Sequence, residues 1–232
     1  MKRFIPDKFL IPLAKAWNIF RDEYAVKSYS QEGEDMILRR LFEEKKSGFY
    51  VDIGAHHPRR FSNTCIFYKQ GWRGINIDAI PGTVELFNKH RPRDINLEIA
   101  VSDSVEDLTY YEFNDPALNG FSKEIATVRN SSEKFVIVAT KKMTTMPLSN
   151  ILEKHLPEGQ YIDFMTIDVE GWDLKVLKSN DWNRYQPGVV LVEILDTDLS
   201  QIEIDPIAKL LMEKSYVVFA KCVNTWIFKL QP

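Results

Sequence analysis

Cysteine is scarce in this chain: Cys65 and Cys222 stand alone among 232 residues, far apart and in no ligand-like spacing. That argues against a disulfide framework or a thiolate metal site, and both read as buried thiols in a reducing compartment. Long apolar runs are missing too. No stretch of the sequence approaches the roughly 20 residues that a membrane span needs. Neither sign of charge is in excess, with 30 Lys and Arg against 33 Asp and Glu. A broad basic face for nucleic acid is therefore not expected. Internal repeats and low-complexity tracts are absent. Glycine is sparse, at 10 residues, and where it fails to appear becomes the most informative absence.

What is present is an ordinary globular composition, long enough to bury a core without disulfides or metals. Residues 1–27 read as an amphipathic helical extension, with Leu13, Trp17 and Phe20 on one face after Pro12. Asp7, Lys8 and Lys15 interrupt the apolar run, and no small-residue cleavage site follows, so a secretory signal is not expected. The helix would pack on the domain, or on a second subunit of a homodimer. Alternatively it would lie on a membrane surface as a basic amphipathic helix. The expected location is cytoplasmic, with peripheral contact to the inner face of the membrane as the second option.

Residues 28–232 read as one domain. "EDMILRRLFEE" is an amphipathic helix and "GFYVDI" a strand. Strand and helix then alternate through "RGINID", "TVELFNKH", "INLEIAVS", "PLSNILEKHL", "YIDFMTIDV", "GWDLKVLKS", "GVVLVEIL" and "DPIAKLLMEK". Such alternation implies parallel strands with right-handed crossovers, a Rossmann-like α/β sheet. The last segment, "SYVVFAKCVNTWIFKL", reads as two strands joined at Asn224, hence an antiparallel hairpin. The expected architecture is a seven-stranded, mostly parallel sheet with a C-terminal antiparallel hairpin, the plan of class I methyltransferases.

"YVDIGAHHPRRFSNT", residues 50–64, opens like a dinucleotide turn, with apolar residues, Asp52 and Gly54. His56 and Pro58 stand where the second and third glycines would be. A pyrophosphate demands those glycines, because backbone must approach it closely at a helix N-terminus. S-adenosylmethionine carries no phosphate and does not. Asp52 is placed to accept hydrogen bonds from its ammonium, and Gly54 gives the tight turn. Asp78 ends the second strand 24 residues after Gly54, about where an acid meets ribose hydroxyls in this architecture (roughly 20 residues on). Asp103, closing "EIAVSD", is placed to meet the adenine. Ala55, Ala79 and Ser102 flank these positions and join the cofactor set. The plainer reading is that Asp52 and Asp78 cap helices and Asp103 sits in a turn.

The segments "YSQEGEDMIL", "FYVDIGAHHPRRFSNT", "GWRGINIDAIPGT", "INLEIAVSD" and "DFMTIDVEGWDLKVL" together resemble the FkbM-type S-adenosylmethionine-dependent methyltransferases, over roughly residues 28–195. The resemblance implies O-methylation of a hydroxyl, often on a sugar or another natural product. It also implies that "YSQEGED" folds over the cofactor, which makes Gln31 and Glu34 candidate contacts. One departure is plain: many members carry Asn and Gly where this chain has His56, His57 and Pro58.

For the chemistry, Asp168 ends one strand, Glu170 follows two residues on, and Glu193 ends the next strand. Neighbouring parallel strand ends would bring Asp168 and Glu193 together. These two would bind a divalent cation such as Mg²⁺, or a carboxylate, His56 or His57 would act as a metal-free base. Arg59, Arg60, Trp72, Arg73, Arg91 and Arg93 form a basic and aromatic set suited to an anionic acceptor, if they are not simply solvated surface. Residues 114–134 are the candidate substrate lid. The expected function is O-methylation of a sugar or glycan in surface-polysaccharide or glycoconjugate assembly. The alternatives are a non-sugar natural product as acceptor, an NAD-dependent oxidoreductase, and an inactive cofactor-binding scaffold.

Overall fold

The sheet runs through the middle of the protein, and its strand order decides where a ligand can sit. The structure, a computed structural model, describes residues 25–131, 134–195 and 197–231. The expected N-terminal helix falls in residues 1–24, outside the described residues. In chain order the first elements are α1 (Glu34–Leu41), β1 (Phe49–Ile53), α2 (Cys65–Lys69), β2 (Arg73–Asp78), α3 (Thr83–His90) and β3 (Ile95–Glu98). Then come β4 (Ala100–Val101), β5 (Asp107–Phe113), α4 (Lys123–Asn130), β6 (Ile137–Met146), α5 (Leu148–His155) and β7 (Phe164–Ile167). The chain closes with α6 (Asp173–Lys178), β8 (Val189–Glu193), α7 (Pro206–Glu213), β9 (Tyr216–Cys222) and β10 (Thr225–Leu230).

Seven strands pair in the order β3-β2-β1-β7-β8-β10-β9. Every pairing among the first five is parallel, and β10 is antiparallel to both of its neighbours. The expected class I methyltransferase architecture is thus observed, hairpin included. The chain leaves β1 toward β2 and β3, then returns to the other side of β1 as β7 and β8. That reversal opens a crevice at the strand C-termini between β1 and β7, where ligands bind in open α/β sheets.

Burial on both faces explains the apolar strands. Phe49, Val51 and Ile53 join one core cluster with Ile151, Leu152 and Val176. Tyr50, one residue out of phase, joins the opposite cluster with Leu38, Phe67, Trp72 and Phe164. Alternation of period two therefore assigns Asp52 to the Tyr50 face. Among the described residues, no helix is long and apolar enough to cross a membrane.

The structure departs from the expected third strand, which breaks at Ile99. Four residues stay in the main sheet as β3, while Ala100 and Val101 turn away and pair with Thr145 and Met146 of β6. Strands β5 and β6 pair antiparallel beside them. The segment between β5 and β6, which holds the candidate substrate lid, contains two short helical pieces. Asp115 caps a short 3₁₀ turn at Pro116–Leu118, and the Ser122 hydroxyl accepts from the Ile125 N–H to start α4.

Candidate active site

A cavity of about 380 Å³ lies at the C-terminal ends of β1, β2, β7 and β8, a volume within the range of small-molecule sites (roughly 300–1,000 Å³). Gln31, Gly54, His56, Asp78, Ala79, Asp168, Glu170 and Glu193, all singled out from the sequence, line it. The segment Asp115–Phe121, together with Tyr110 and Arg129, forms its roof, and Asn224 of the β9–β10 turn reaches it from the side.

Gly54 holds the cavity floor together. Its φ is +80°, and a Cβ there would sit 1.7 Å from the carbonyl oxygen of Asp168. The loops after β1 and β7 meet backbone to backbone, which no side chain permits. His56 follows with φ 50°, a conformation that suits Gly or Asn far better than His. Phe61 and Glu170, at φ 54° and 55°, also line the cavity. Backbone strain of this kind gathers at ligand sites.

Asp78 faces the cavity with both carboxylate oxygens engaged from behind. It accepts hydrogen bonds from the His56 N–H at 2.6 Å and the Ile80 N–H at 2.7 Å. Burial pushes its carboxyl up to about 6 despite those bonds.

Asp52, Glu34, Ala55, Ser102 and Asp103 are not on the cavity wall. Asp52 points toward the start of α2, where the Thr64 hydroxyl donates to it at 2.6 Å. Its carboxyl is pushed up to about 6 by burial, against the pull of Thr64 and Arg91. The Glu34 carboxylate accepts from the Thr225 hydroxyl at 3.2 Å and the Glu32 N–H at 2.8 Å, tying the segment before α1 to the C-terminal hairpin. Ser102 is fully buried and accepts from the Trp172 indole N–H at 3.1 Å. Asp103 lies 4.0 Å from Lys175. The Ala55 N–H donates to Ile77 O at 3.1 Å and holds the turn against β2.

Asp168 and Glu193 do come together, because Ile167 and Val192 are register partners on adjacent parallel strands. Withdrawal from bulk water raises the Asp168 carboxyl well above the usual range, and the charges of Glu193 and Glu170 raise it further. Glu193 is pushed up to about 8 by burial, then by Glu170 and Asp173. One oxygen of Glu193, Oε2, is buried without a hydrogen-bond partner. Glu170 is differently placed: Arg129 Nη2 holds its carboxylate at 2.5 Å.

Both ring nitrogens of His56 are buried without hydrogen-bond partners. Burial, then Arg60, lowers its pKa. His57 is a loop brace instead: its Nδ1 accepts from the Arg59 and Arg60 N–H groups, each at 3.0 Å.

The basic and aromatic set does not gather at the site. Trp72 is 1% exposed and belongs to the core. Arg91, also 1% exposed, donates to Pro58 O, Ser62, Thr64 and Asn76 and braces the loop after β1 from behind. Arg93 donates to Tyr68 O. Only Arg60 of the six lines the cavity, 3.8 Å from Asp115.

Tyr110, Asn119, Phe121, Arg129 and Leu195 line the cavity without having been singled out individually, and Asn224, noted only as the hairpin joint, lines it too. The only sequence signal for part of this group was the long segment before residue 134. Among the described residues, no group of three or more His, Cys, Asp or Glu side chains is arranged to hold a metal ion. Nothing in that arrangement supports the Mg²⁺ alternative at Asp168 and Glu193.

Solved structures match this chain at low identity, with TM-scores below 0.5. A TehB-like SAM-dependent methyltransferase from Corynebacterium glutamicum is 9% identical with a TM-score of 0.44, over 97% of this chain and 100% of that one. An O-methyltransferase from Bacillus cereus, solved with S-adenosylhomocysteine, is 9% identical with a TM-score of 0.42, over 94% and 90%. The 1,6-didemethyltoxoflavin-N1-methyltransferase of Burkholderia thailandensis is 10% identical with a TM-score of 0.42, over 100% and 93%. No curated protein matches the sequence. Residues 52–218 match the methyltransferase FkbM domain, a stretch that runs from the end of β1 into β9. Since that match takes in most of the chain, including Gly54, Asp78, Asp168 and Glu193, the protein belongs to the FkbM family of S-adenosylmethionine-dependent methyltransferases.

Proposed function

We propose that this protein methylates a hydroxyl of a sugar or glycan. The observation that carries the reading is the convergence of Gly54, Asp78, Asp168 and Glu193, from four adjacent strand ends, on one cavity. S-adenosylmethionine, when bound, supplies a methyl group activated by a sulfonium. The residues present suit it: Asp78 for ribose hydroxyls, Ala79 beside it, and a glycine turn that leaves backbone space. Asp52, Glu34, Ala55, Ser102 and Asp103 support the turn and the wall from outside the cavity, so their part in binding is indirect.

The remaining wall suits a polyol acceptor. Gln31, Asn119 and Asn224 offer amide donors and acceptors, and Phe61 and Phe121 offer apolar surface for a sugar ring. Positioning supplies a large share of the rate. Asp168 receives the hydroxyl proton. Burial, and then Glu193 beside it, raise its proton affinity, as a group that takes up a proton requires. His56, whose ring nitrogens are buried without partners, orients the hydroxyl. Glu170 acts through Arg129 and is a positioning residue.

The test is calorimetry with S-adenosylmethionine and with NAD, followed by mass spectrometry of a sugar and glycan panel. The reading expects saturable S-adenosylmethionine binding, weakened about tenfold or more by Asp78→Ala, and no NAD binding. Asp168→Asn should slow transfer by about 10²–10⁴ with cofactor binding retained. Binding of the cofactor with transfer only to non-sugar hydroxyls would replace the acceptor assignment.

A further inference from the structure

The charge in the cavity does not balance, and the imbalance names a property of the acceptor. Five acids line it, Asp78, Asp115, Asp168, Glu170 and Glu193, against Arg60 and Arg129. Three of the five are engaged: Glu170 by Arg129, Asp115 by Arg60, and Asp78 by two backbone N–H groups. Asp168 and Glu193 are left. Among the described residues neither forms an ion pair, and Glu193 Oε2, buried at the cavity, has no hydrogen-bond donor. Burial raises the proton affinity of both, so they hold protons that a bound cation would displace.

S-adenosylmethionine has two positive groups, sulfonium and ammonium, and one carboxylate. Its single net positive charge offsets one of the two free carboxylates. The other keeps its proton unless a second cation takes the proton's place. Of the arginines suited to an anionic acceptor only Arg60 lines the cavity, and it is engaged by Asp115, while Arg91 is buried behind the β1 loop and Arg93 donates to Tyr68 O. A phosphate-bearing acceptor would meet like charge at short range.

We propose that the acceptor carries a positively charged amino group, seated against Glu193 while Asp168 faces the reacting hydroxyl. This rests on the methyl-transfer reading of the cavity. Taken with the amide and aromatic wall at Asn119, Asn224 and Phe121, it points to an amino sugar rather than a nucleotide-linked or phosphorylated one.

The experiment uses the full chain saturated with S-adenosylhomocysteine at neutral pH. Glucosamine, glucose and glucose 1-phosphate are titrated in turn, with binding read by calorimetry and ligand-observed NMR. Glucosamine should bind at least about tenfold more tightly than glucose, and glucose 1-phosphate most weakly. In Glu193→Gln the preference for glucosamine over glucose should vanish, while S-adenosylhomocysteine saturation and near-UV circular dichroism stay intact and report a folded protein. Should Glu193→Gln fail to fold, Glu193→Asp should retain the preference in weakened form. Equal binding of the three sugars, including no binding of any, overturns the proposal, as does tightest binding of the phosphate. Failure to saturate with S-adenosylhomocysteine overturns the methyl-transfer reading itself, so the two failures are distinct.

Discussion

Arg129 of α4 grips the carboxylate of Glu170, in the loop after β7, at 2.5 Å, and the same arginine donates to Leu118 O at 3.2 Å. One side chain thus ties the roof of the cavity to its floor. Packing agrees, since a Cβ on Gly171 would collide with Ile125 of α4 at 2.2 Å. Glu170→Gln should loosen the roof, because hydrogen bonds to charged groups contribute about 1.5–3 kcal/mol. Hydrogen exchange should rise across residues 118–130, with KM for the acceptor rising more than kcat falls. Exchange identical to the parent protein would remove the latch from the account.

Gly54→Ala is expected to be among the most damaging small substitutions. The added methyl would lie 1.7 Å from Asp168 O, and both atoms belong to backbone-constrained turns. Strain at a left-handed position costs on the order of 1–3 kcal/mol, and the clash adds to it. A loss of about 3 kcal/mol or more in urea unfolding, with cofactor binding abolished, is the expected result. A folded, cofactor-binding variant would mean that the two loops part easily.

Arg91 and Arg93 are two residues apart, yet their loss should cost very different amounts. Arg91→Ala strands buried acceptors at Pro58, Ser62, Thr64 and Asn76, at about 1–3 kcal/mol for each group left unsatisfied. Arg93 lies on the surface, so Arg93→Ala should stay within about 0.5 kcal/mol. Chemical denaturation of both variants checks the contrast. Equal effects would show that the Arg91 network carries no special weight.

Stability of the ligand-free protein should fall as pH rises from about 5 toward 8. The folded state holds Glu193 at about 8, Asp173 at about 7, and Asp52 and Asp78 at about 6. All four lie above the usual carboxylate values, so the folded state binds more protons than the unfolded chain in that window. Their stabilisation is full below the unfolded carboxylate pKa and is lost as pH climbs through the folded values. His56 and His57 act with the opposite sign, because lowered histidine pKa values disfavour the folded state as pH drops below the ordinary imidazole value. Thermal unfolding across this range should show the decline, and Glu193→Gln should flatten its upper part. A melting temperature that rises steadily to pH 8 would mean that the histidines outweigh the carboxylates.

The parallel sheet was legible because β1 and β8 are nearly all apolar and the helices between strands keep their own period. Asp78, Asp168 and Glu193 could be placed by counting, since each stands at a strand end and parallel strands end together. Asp52 was harder. It also stands near a strand end, but the alternation that buries Tyr50 aims it at Thr64. The break at Ile99 was invisible, because Ala100 and Val101 are as apolar as the strand they leave, and only pairing with β6 reveals it.

The amino-acid sequence by itself determined the layered α/β plan, the C-terminal hairpin and the acids at the strand ends. Those follow from local periodicity and turn chemistry, which act over a few residues. Only the tertiary structure decided which acids face one another, that Arg129 neutralises Glu170, and that Arg91 is spent inside the fold. Such outcomes depend on contacts such as that between Gly54 and Asp168, 114 residues apart, and no local pattern encodes the meeting of two distant loops.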